Sequence, residues 1–401
     1  MKRAFQGLRK SRLVAASAGL VLGLAAATAC HAANEIVIGA SLPLSGPLAG
    51  FGKYQQWGYQ TAVDDANKAG GVTIDGKQYT FRLIVRDDKT DPNVAASNTE
   101  TLISRDKALV MLGSCTPALV NAGALVAERK KVPLVTGCDP LGAFRSVRKW
   151  HYVWDIFFDE AELSEAVFKM MDDLGVKTDK TLALLHDNGP DGKVVGGQIW
   201  PALAKKYGYK IVQKTEFPVD NMQFTTAVSE LKSKNPQVVL VDAITPQAVS
   251  IRKQMAAVGF VPKVLDMEKG AEPEQFAKAA GKLSDGVLVG AYWDPSFKYP
   301  GASQLSKRFE KETGLSVSQH IADSHAAANV MIDAIIAAKS LDRAQINKAI
   351  AKTDKVYVVG PVKFDQTNTS KLPIAMSQWQ DGKPVIVWPR DLATGTYIQP
   401  K

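Results

Sequence analysis

Short apolar runs alternate with helix-like segments along most of the chain, and this alternation restricts the fold more than any other feature. The clearest unit has apolar runs at residues 109–115 and 132–138, with a helix-like segment over 117–131 between them. A strand, a helix and a second strand in this order form a βαβ unit, whose two strands are parallel. The alternation therefore predicts an α/β fold and places Cys115 and Cys138 at the carboxyl ends of neighbouring strands.

These two cysteines mark a candidate binding site. In open α/β sheets, ligands bind in the crevice outside the carboxyl ends of the strands. At that edge Cys115 and Cys138 could form a disulfide, or they could remain two buried thiols, because free cysteine is often buried. Export to an oxidising compartment favours the disulfide, and the N-terminus gives evidence for export.

The first 32 residues have the features of a secretory signal peptide. Five basic residues occupy positions 2–12, no acid precedes Glu35, and an apolar stretch over 13–29 leads to small residues. A membrane anchor is the alternative, but the stretch is short for a span and its Ala and Gly content makes it weakly hydrophobic. We therefore predict cleavage near Ala32 or Ala33. Lipidation of Cys30 is the less favoured alternative, because Ala27 stands where such sites usually prefer Leu.

Charge and length exclude several classes of protein. Five of the 49 Lys and Arg residues lie in the signal, so the rest of the chain carries 44 basic against 40 acidic residues. These charges are interleaved rather than clustered, which argues against a nucleic-acid partner. No later apolar run reaches the length of a membrane span. The remaining roughly 370 residues exceed one ordinary core and indicate two domains.

Sequence motifs for catalysis are absent. The chain has no G-x-G-x-x-G after its first strand, and no G-x-S-x-G, H-E-x-x-H or C-x-x-C. Residues 189–193 resemble a phosphate-binding loop only superficially, since they lack the required spacing and the following Ser or Thr. The five histidines are scattered along the chain. We therefore predict no enzyme activity, no cofactor and no metal site, which leaves molecular recognition.

A few residues are candidates for that recognition. Thr116 precedes Pro117, a favourable first helical residue, so its hydroxyl and the free N–H groups behind it suit a carboxylate; an ordinary helix cap is the alternative. Phe51 is expected to point into the same crevice, or else to be a packing residue. The strand ends of the second domain offer Asp191, Ile244 and Glu268. Glu268 could bind an ammonium group, or it could pair with its neighbour Lys269 at the surface.

Several segments resemble the leucine/isoleucine/valine class of periplasmic solute-binding proteins, which serve ABC importers. The resemblance covers the whole mature chain. It is carried by I-G-A-S-L-P-L-S-G-P at 38–47, G-F-G at 50–52, A-N-K-A-G-G-V at 66–72, R-D-D at 86–88 followed by D-P at 91–92, G-S-C at 113–115 and G-P-V-K-F-D at 360–365.

For the fold, the resemblance implies two doubly wound α/β lobes joined by three crossings, as in type I periplasmic binding proteins. With these crossings, the N-terminal lobe is predicted to comprise residues 33–154 and 292–357. The C-terminal lobe is predicted to comprise 155–291 and 358–401. Crossings that are short rather than flexible indicate hinge closure on a ligand. The resemblance further implies a periplasmic monomer that delivers its ligand to an ABC permease in the inner membrane.

For the site, the resemblance assigns a role to each matching position. Phe51 corresponds to an aromatic wall, and Glu268 to the acid that binds the ligand's ammonium group. His320 falls near the pocket for the ligand's side chain. The carboxylate-binding strand ends, where the family also has a counterpart of the disulfide, fall on Cys115, Thr116, Cys138, Asp139 and Pro140.

This chain departs from the family at three of the site positions. Asp191 and Ile244 stand where amino-acid binders typically carry tyrosines, and Pro140 replaces a hydroxyl-bearing residue. The leading hypothesis is capture of a branched-chain type amino acid or a similar small carboxylate. The departures keep aromatic acids and other small organic solutes as alternatives. A sensory domain of a receptor or regulator is a further alternative, although no membrane span or DNA-binding helix is visible for it.

Overall fold

The computed structural model describes residues 34–401. The predicted signal peptide over residues 1–32, and with it Cys30, lies outside the described residues. Within this range the chain forms two α/β lobes, each built on a seven-stranded, mostly parallel sheet.

The first lobe begins with an alternation of strands and helices. Its elements are β1 (Asn34–Leu42), α1 (Ala49–Lys68), β2 (Val72–Ile74), β3 (Lys77–Asp87), α2 (Pro92–Ser104), β4 (Val110–Leu112), α3 (Pro117–Arg129), β5 (Leu134–Thr136), α4 (Leu141–Val147) and β6 (Val153–Phe157). Later residues of the chain return to this lobe. They form α12 (Ala302–Thr313), α13 (His320–Ala338), α14 (Arg343–Ile350), β12 (Asp354–Tyr357), β13 (Gly360–Lys363) and β14 (Thr369–Lys371).

The second lobe lies between these two parts of the first and also includes the C-terminus. Its helices and strands are α5 (Glu160–Leu174), β7 (Thr181–Asp187), α6 (Pro190–Val194), α7 (Trp200–Tyr207), β8 (Lys210–Phe217), α8 (Thr225–Lys234), β9 (Val238–Asp242), α9 (Thr245–Ala257), β10 (Val264–Asp266), α10 (Glu268–Ala271), α11 (Glu274–Ala280), β11 (Leu288–Ala291), β15 (Ala375–Gln380) and β16 (Lys383–Trp388).

Both sheets are doubly wound. The first has the order β14-β6-β5-β4-β1-β3-β2, and the second has the order β16-β15-β11-β10-β9-β7-β8. In the first sheet β3 and β4 lie on opposite sides of β1, and in the second sheet β8 and β9 lie on opposite sides of β7. The strand order therefore reverses at β1 and at β7, which creates a crevice at the carboxyl ends of the neighbouring strands. All five residues of β9 are buried, as expected for a strand covered by helices on both faces.

The chain crosses between the lobes after β6, after β11 and after β14. The sequence prediction placed the first crossing after residue 154 and the third after residue 357. In the structure β6 continues to Phe157, and β14 pairs in parallel with β6 at the edge of the first sheet. Residues 358–371 therefore lie with the first lobe, whereas the prediction assigned them to the second. A three-residue strand at a sheet edge has no periodicity that sequence reasoning can recognise.

Local sequence signals explain many of the element boundaries. Asp91 caps α2 by accepting hydrogen bonds from the backbone N–H groups of Asn93 and Val94. Asp159 caps α5 in the same manner, and Gly175 ends that helix in the left-handed conformation that glycine tolerates.

Helix α13 forms the centre of the first lobe. Among the described residues it is the one helix long and apolar enough to cross a membrane, yet thirteen of its nineteen residues are buried within the lobe. It packs closely against α1, where a Cβ on Gly58 would lie 2.7 Å from the carbonyl oxygen of Ile321. This close packing accounts for the nearly uniform apolar character of α13, which is typical of a core helix.

Candidate functional site

A cleft of about 660 Å³, including its open mouth, lies between the carboxyl ends of the two sheets. Eight of the ten residues predicted for the site line this cleft, namely Phe51, Cys115, Thr116, Cys138, Pro140, Asp191, Glu268 and His320. The first lobe contributes Phe51, the residues after β4 and β5, and the start of α13. The second lobe contributes α6 and α10.

The wall of the first lobe contains the predicted disulfide. Cys115 and Cys138 are bonded, with their Cα atoms 4.8 Å apart. The backbone N–H of Thr116 also donates to the carbonyl oxygen of Cys138 at 3.0 Å. These two links join the loops that follow β4 and β5, so the wall is rigid where it faces the cleft.

Thr116 has an unusual backbone and a free side chain. It occupies the N-cap position of α3 with φ of 70°, but its hydroxyl makes no capping hydrogen bond. A positive φ is strained for a β-branched residue. Since Pro117 has no N–H, the unpaired backbone donors of the first turn are Ala118 and Leu119. The hydroxyl and these donors form the anion-attracting part of the cleft.

Aromatic rings form an apolar wall beside the disulfide. The edge of Phe51 meets the ring of His320 with the centroids 5.0 Å apart. Phe157 lies between Phe158, at 4.3 Å, and Tyr292, at 4.8 Å. All five rings line the cleft. This wall suits the apolar part of a small solute.

His320 is fixed by a buried polar network. Its Nδ1 atom lies 2.7 Å from Oδ2 of Asp323, and Tyr292 donates its hydroxyl to the same oxygen at 2.6 Å. Burial by itself would lower the pKa of His320, but the carboxylates of Asp323 and Glu272 outweigh burial and raise it. The imidazole therefore favours its protonated form.

The wall of the second lobe is acidic. Asp187 and Asp242 end β7 and β9, and both form ion pairs with Nζ of Lys269, at 3.3 and 2.9 Å. Asp191 is closer to the same ammonium group, at 2.7 Å. Burial by itself would lower the pKa of Lys269, but these three carboxylates raise it well above its ordinary value. Asp191 is thus engaged with Lys269, and the cluster has three carboxyl groups for one ammonium group.

Glu268 lies next to this cluster without joining it. It is buried, has φ of 33°, and forms no ion pair within residues 34–401. The alternative interpretation, a surface pair with Lys269, therefore does not apply, because Lys269 is held by the three aspartates. Burial raises the pKa of Glu268 well above its usual value, and the negative charge of Asp266 adds to this effect. Such a carboxylate is stabilised by a cation from the ligand.

The two remaining predicted residues are not part of the cleft wall. Asp139 is fully buried behind it, and its two carboxylate oxygens have no hydrogen-bond partner among the described residues. Ile244 caps α9 and packs against the apolar core of the first lobe. The position of these two residues at strand ends predicts that they belong to the site. The direction of each side chain, however, depends on the local turn, which the position does not reveal.

Sequence reasoning missed several residues of the cleft. Glu160 of the second lobe accepts hydrogen bonds from the N–H groups of Gly142 and Ala143 in the first, at 2.6 and 2.7 Å. Glu272 and Lys269 also line the cleft. An aspartate at the end of each of the apolar runs of β7, β9 and β10 is a recurring pattern that would have revealed the acidic wall.

The donor set in the wall does not suit a metal ion. Sulfur atoms of Cys115 and Cys138 and a ring nitrogen of His320 lie within 4.8 Å of one another. Metal binding requires thiolates, and here both sulfurs are used in the disulfide.

Two doubly wound lobes with strand ends facing each other across a cleft define a hinged binding protein. In agreement with this architecture, the sequence model of the periplasmic binding protein family matches residues 35–383. The chain belongs to this family. It is a solute-binding protein and not an enzyme, and the predicted fold class is confirmed.

Known proteins with similar sequences or structures extend over nearly the whole chain. The Leu/Ile/Val-binding protein homolog 7 of Brucella suis is 27% identical over 403 residues, covering 95% of this chain and 97% of the relative. A branched-chain amino acid transporter substrate binding protein from Streptococcus pneumoniae, solved with isoleucine, has a TM-score of 0.77 at 22% identity, covering 88% of this chain and 98% of that one. A solute binding protein from R. palustris, solved with benzoate, has a TM-score of 0.74 at 19% identity, covering 88% and 96%.

Proposed function

We propose that this protein captures an amino acid, or a similar small solute with a carboxylate and an amine, and delivers it to an ABC permease. The observation that carries the proposal is the polarity of the cleft. Free hydrogen-bond donors at the start of α3 lie on one lobe, and the unpaired carboxylate of Glu268 lies on the other.

The carboxylate of the solute would bind at the start of α3. The hydroxyl of Thr116 is free there, and the N–H groups of the first helical turn point to the cleft end of the helix. The N-terminus of a helix attracts negative charge through its aligned peptide dipoles. A carboxylate would thus be bound without a cationic side chain.

The amine would bind to Glu268. Lys269 and His320 are the basic residues among the described ones that line the cleft, and both already have carboxylate partners. The lining therefore has more carboxyl groups than basic groups, and a cationic group on the solute would favour their ionised form. Glu268 is already buried, so an ammonium group of the solute would supply the opposite charge that favours its carboxylate form.

The apolar part of the solute would contact the rings of Phe51 and Phe157 together with the disulfide. A branched or aromatic side chain fits such a surface, because burying apolar area contributes about 25 cal/mol per Å². The relative from Streptococcus pneumoniae, solved with isoleucine, supports a solute of branched-chain type.

Closure would follow from contacts made by both lobes. A ligand shifts the equilibrium between open and closed forms only by its difference in affinity for them. Glu160 already joins the lobes through Gly142 and Ala143, so the closed form needs only a small additional contribution. The closed protein is the form that would be recognised by the permease.

An aromatic acid is the second candidate solute. The resemblance places Asp191, a residue of the cleft, where amino-acid binders typically carry a tyrosine, and several aromatic rings line the cleft. The R. palustris relative solved with benzoate supports this alternative. An amino acid carries an amine and an aromatic acid does not, so only the affinity for an amino acid would depend on the charge of Glu268.

A ligand screen tests the proposal. The purified mature protein is heated with single amino acids and with aromatic acids at 1 mM, about 1,000 times a micromolar Kd, at which a bound solute stabilises the folded state by about 4 kcal/mol. We expect at least one amino acid to raise the Tm by several degrees, with calorimetry giving one site per chain. Stabilisation by aromatic acids alone would favour the second candidate, and no stabilisation by either group would contradict the proposal.

A further inference from the structure

Glu272 contributes a buried carboxylate to the cleft. Glu272 follows α10, and its side chain is only 8% exposed. Oε1 of Glu272 accepts a hydrogen bond from the hydroxyl of Ser318 at 2.6 Å, but Oε2 has no hydrogen-bond partner among the described residues. A buried acceptor without a partner costs free energy, so in native proteins it usually indicates a missing ligand or water.

A nitrogen of His320 faces this oxygen across a gap. The Nε2 atom of His320 lies 3.8 Å from Oε2 of Glu272, which is too long for a direct hydrogen bond. The other ring nitrogen is already engaged with Asp323 at 2.7 Å. The gap is the space in the cleft beside this pair of atoms, since no atom fits on the 3.8 Å line that joins them. In the imidazolium form, a donor at Nε2 and an acceptor at Oε2 border the gap together. Glu272 belongs to the second lobe and His320 to the first, so both lobes border this gap.

We propose that the gap binds a hydroxyl group of the solute, which makes Glu272 and His320 the residues that select a hydroxyl-bearing substrate. The inference rests on the proposed function, because it assigns a substituent of the same captured solute. One oxygen atom can lie about 2.8 Å from both atoms that border the gap, at ordinary hydrogen-bond lengths. That oxygen would accept from Nε2–H of His320 and donate to Oε2 of Glu272.

Other common substituents fit the gap less well. A methyl group would leave both the acceptor of Glu272 and the donor of His320 unpaired. An ammonium group would be repelled by the imidazolium, and a carboxylate would be repelled by Glu272. A hydroxyl both donates and accepts, so it satisfies the two sides without adding a buried charge.

The surroundings of the gap define the rest of the solute. The rings of Phe51 and Phe157 stand beside His320, with centroids 5.0 and 6.3 Å from the imidazole. The hydroxyl would therefore be attached to an apolar chain or ring that contacts these two rings. We infer a small carboxylate with a hydroxylated aliphatic or aromatic side chain.

Matched pairs of solutes test this inference on the intact mature protein. The pairs are tyrosine and phenylalanine, threonine and valine, and 4-hydroxybenzoate and benzoate, with Kd measured by calorimetry. We expect the hydroxyl-bearing member of at least one pair to bind ten or more times more tightly, because a site with unpaired polar groups rejects the analogue that lacks the hydroxyl. In each pair the plain member is the compound without the hydroxyl. If the plain member binds equally or more tightly in every pair that binds, water fills the gap and the inference is overturned.

Variants of Glu272 show whether the preference arises in this gap. Glu272→Leu removes the acceptor, and it should abolish the preference while changing the affinity for the plain member less than threefold. Glu272→Gln keeps an oxygen acceptor and the side-chain volume, and it should retain part of the preference. Glu274→Gln is the matched control, because that carboxylate pairs with Lys278 and does not line the cleft.

Failure of the inference and failure of the proposed function give different results. If the preference persists in Glu272→Leu, or if none of the six compounds binds, the hydroxyl site is refuted. The proposed function is judged instead by the wider screen of amino acids and aromatic acids. A stabilising solute that binds as tightly as its hydroxyl-bearing analogue, or more tightly, would uphold that function and overturn the hydroxyl site.

Discussion

Thr116 and Glu268 share an unusual backbone property. Both have positive φ values, at 70° and 33°, and among the non-glycine residues with positive φ in the described part of the chain, only these two line the cleft. Such a conformation costs about 1–3 kcal/mol and persists where the surrounding structure enforces it. The strain places a hydroxyl and a carboxylate on opposite walls, in agreement with a role in binding.

Replacing Glu268 by glutamine is expected to abolish binding of an amine-bearing solute. The substitution keeps the shape of the side chain and removes the negative charge, so the Kd should rise by about a hundredfold or more, in line with the 2–5 kcal/mol cost of breaking a buried charge pair. Isothermal titration calorimetry with the solute found in the screen measures the change.

Thr116→Ala is expected to weaken binding less, by about tenfold, because one hydrogen bond from a hydroxyl to the carboxylate is lost. Thr116→Ser serves as its control, since it keeps the hydroxyl, and should bind nearly as well as the unmodified protein. Unchanged affinity in both Glu268→Gln and Thr116→Ala would show that the solute is bound elsewhere.

At the scale of elements, the wall of the first lobe depends on the link between the ends of β4 and β5. The disulfide joins residues 23 apart in the sequence. A cross-link of this loop length contributes about 3 kcal/mol by restricting the unfolded chain. The same link orients the start of α3, on which the proposed carboxylate site depends.

The double variant Cys115→Ser, Cys138→Ser is expected to lower the Tm by several degrees and to weaken solute binding. Thermal unfolding with and without a thiol reductant provides the measurement and its control. The reductant should lower the Tm of the unmodified protein and leave that of the double variant unchanged. A reductant effect of equal size on both proteins would contradict a stabilising role for the disulfide.

The close contact between α1 and α13 gives a second prediction at the scale of elements, which concerns the stability of the folded protein. Alanine usually stabilises a helix relative to glycine by about 0.5–1 kcal/mol. Gly58→Ala should instead destabilise the protein, because the added Cβ would lie 2.7 Å from the carbonyl oxygen of Ile321. Gly197→Ala is the control, since no atom lies within 4 Å of its added Cβ. Urea unfolding of both variants should give opposite or clearly unequal changes in the midpoint.

At the scale of the whole molecule, acid groups concentrate where the two lobes meet. Burial raises the pKa values of Asp139, Asp155 and Glu268, and it raises the pKa of Asp266 to about 7. These groups hold protons in the folded protein that the unfolded chain releases above about pH 4. Their ionisation therefore works against folding, so folding stability falls as pH rises through the raised pKa values.

We expect the Tm of the ligand-free protein to be highest at mildly acidic pH and to fall by several degrees between pH 5 and pH 8. Acid destabilisation should start only below about pH 4, where carboxylates such as Glu165, with a pKa lowered to about 2 by its hydrogen bonds to Lys169 and Lys206, become protonated. Differential scanning calorimetry across this range tests the profile. A Tm that rises steadily from pH 5 to pH 8 would contradict it.

The order of elements and several site residues could be predicted from the sequence, because local patterns determine them. Apolar runs bounded by turn residues indicate strands, Asp91 and Asp159 indicate helix starts, and the ends of parallel strands bring Cys115 and Cys138 together. The pairing of β14 with β6 could not be predicted, since so short an edge strand has no pattern of its own.

The sequence alone thus determined that this chain is a two-lobed α/β binding protein with a cleft near Cys115, Thr116 and Glu268. Only the tertiary structure decided that Lys269 is held by aspartates at the ends of β7 and β9 and on α6, and that Glu272 faces His320. The physical reason is how far along the chain the interacting residues lie from one another. Helix and strand formation depends on neighbouring residues, whereas the partner of a side chain at a strand end depends on strand order and on how the lobes close.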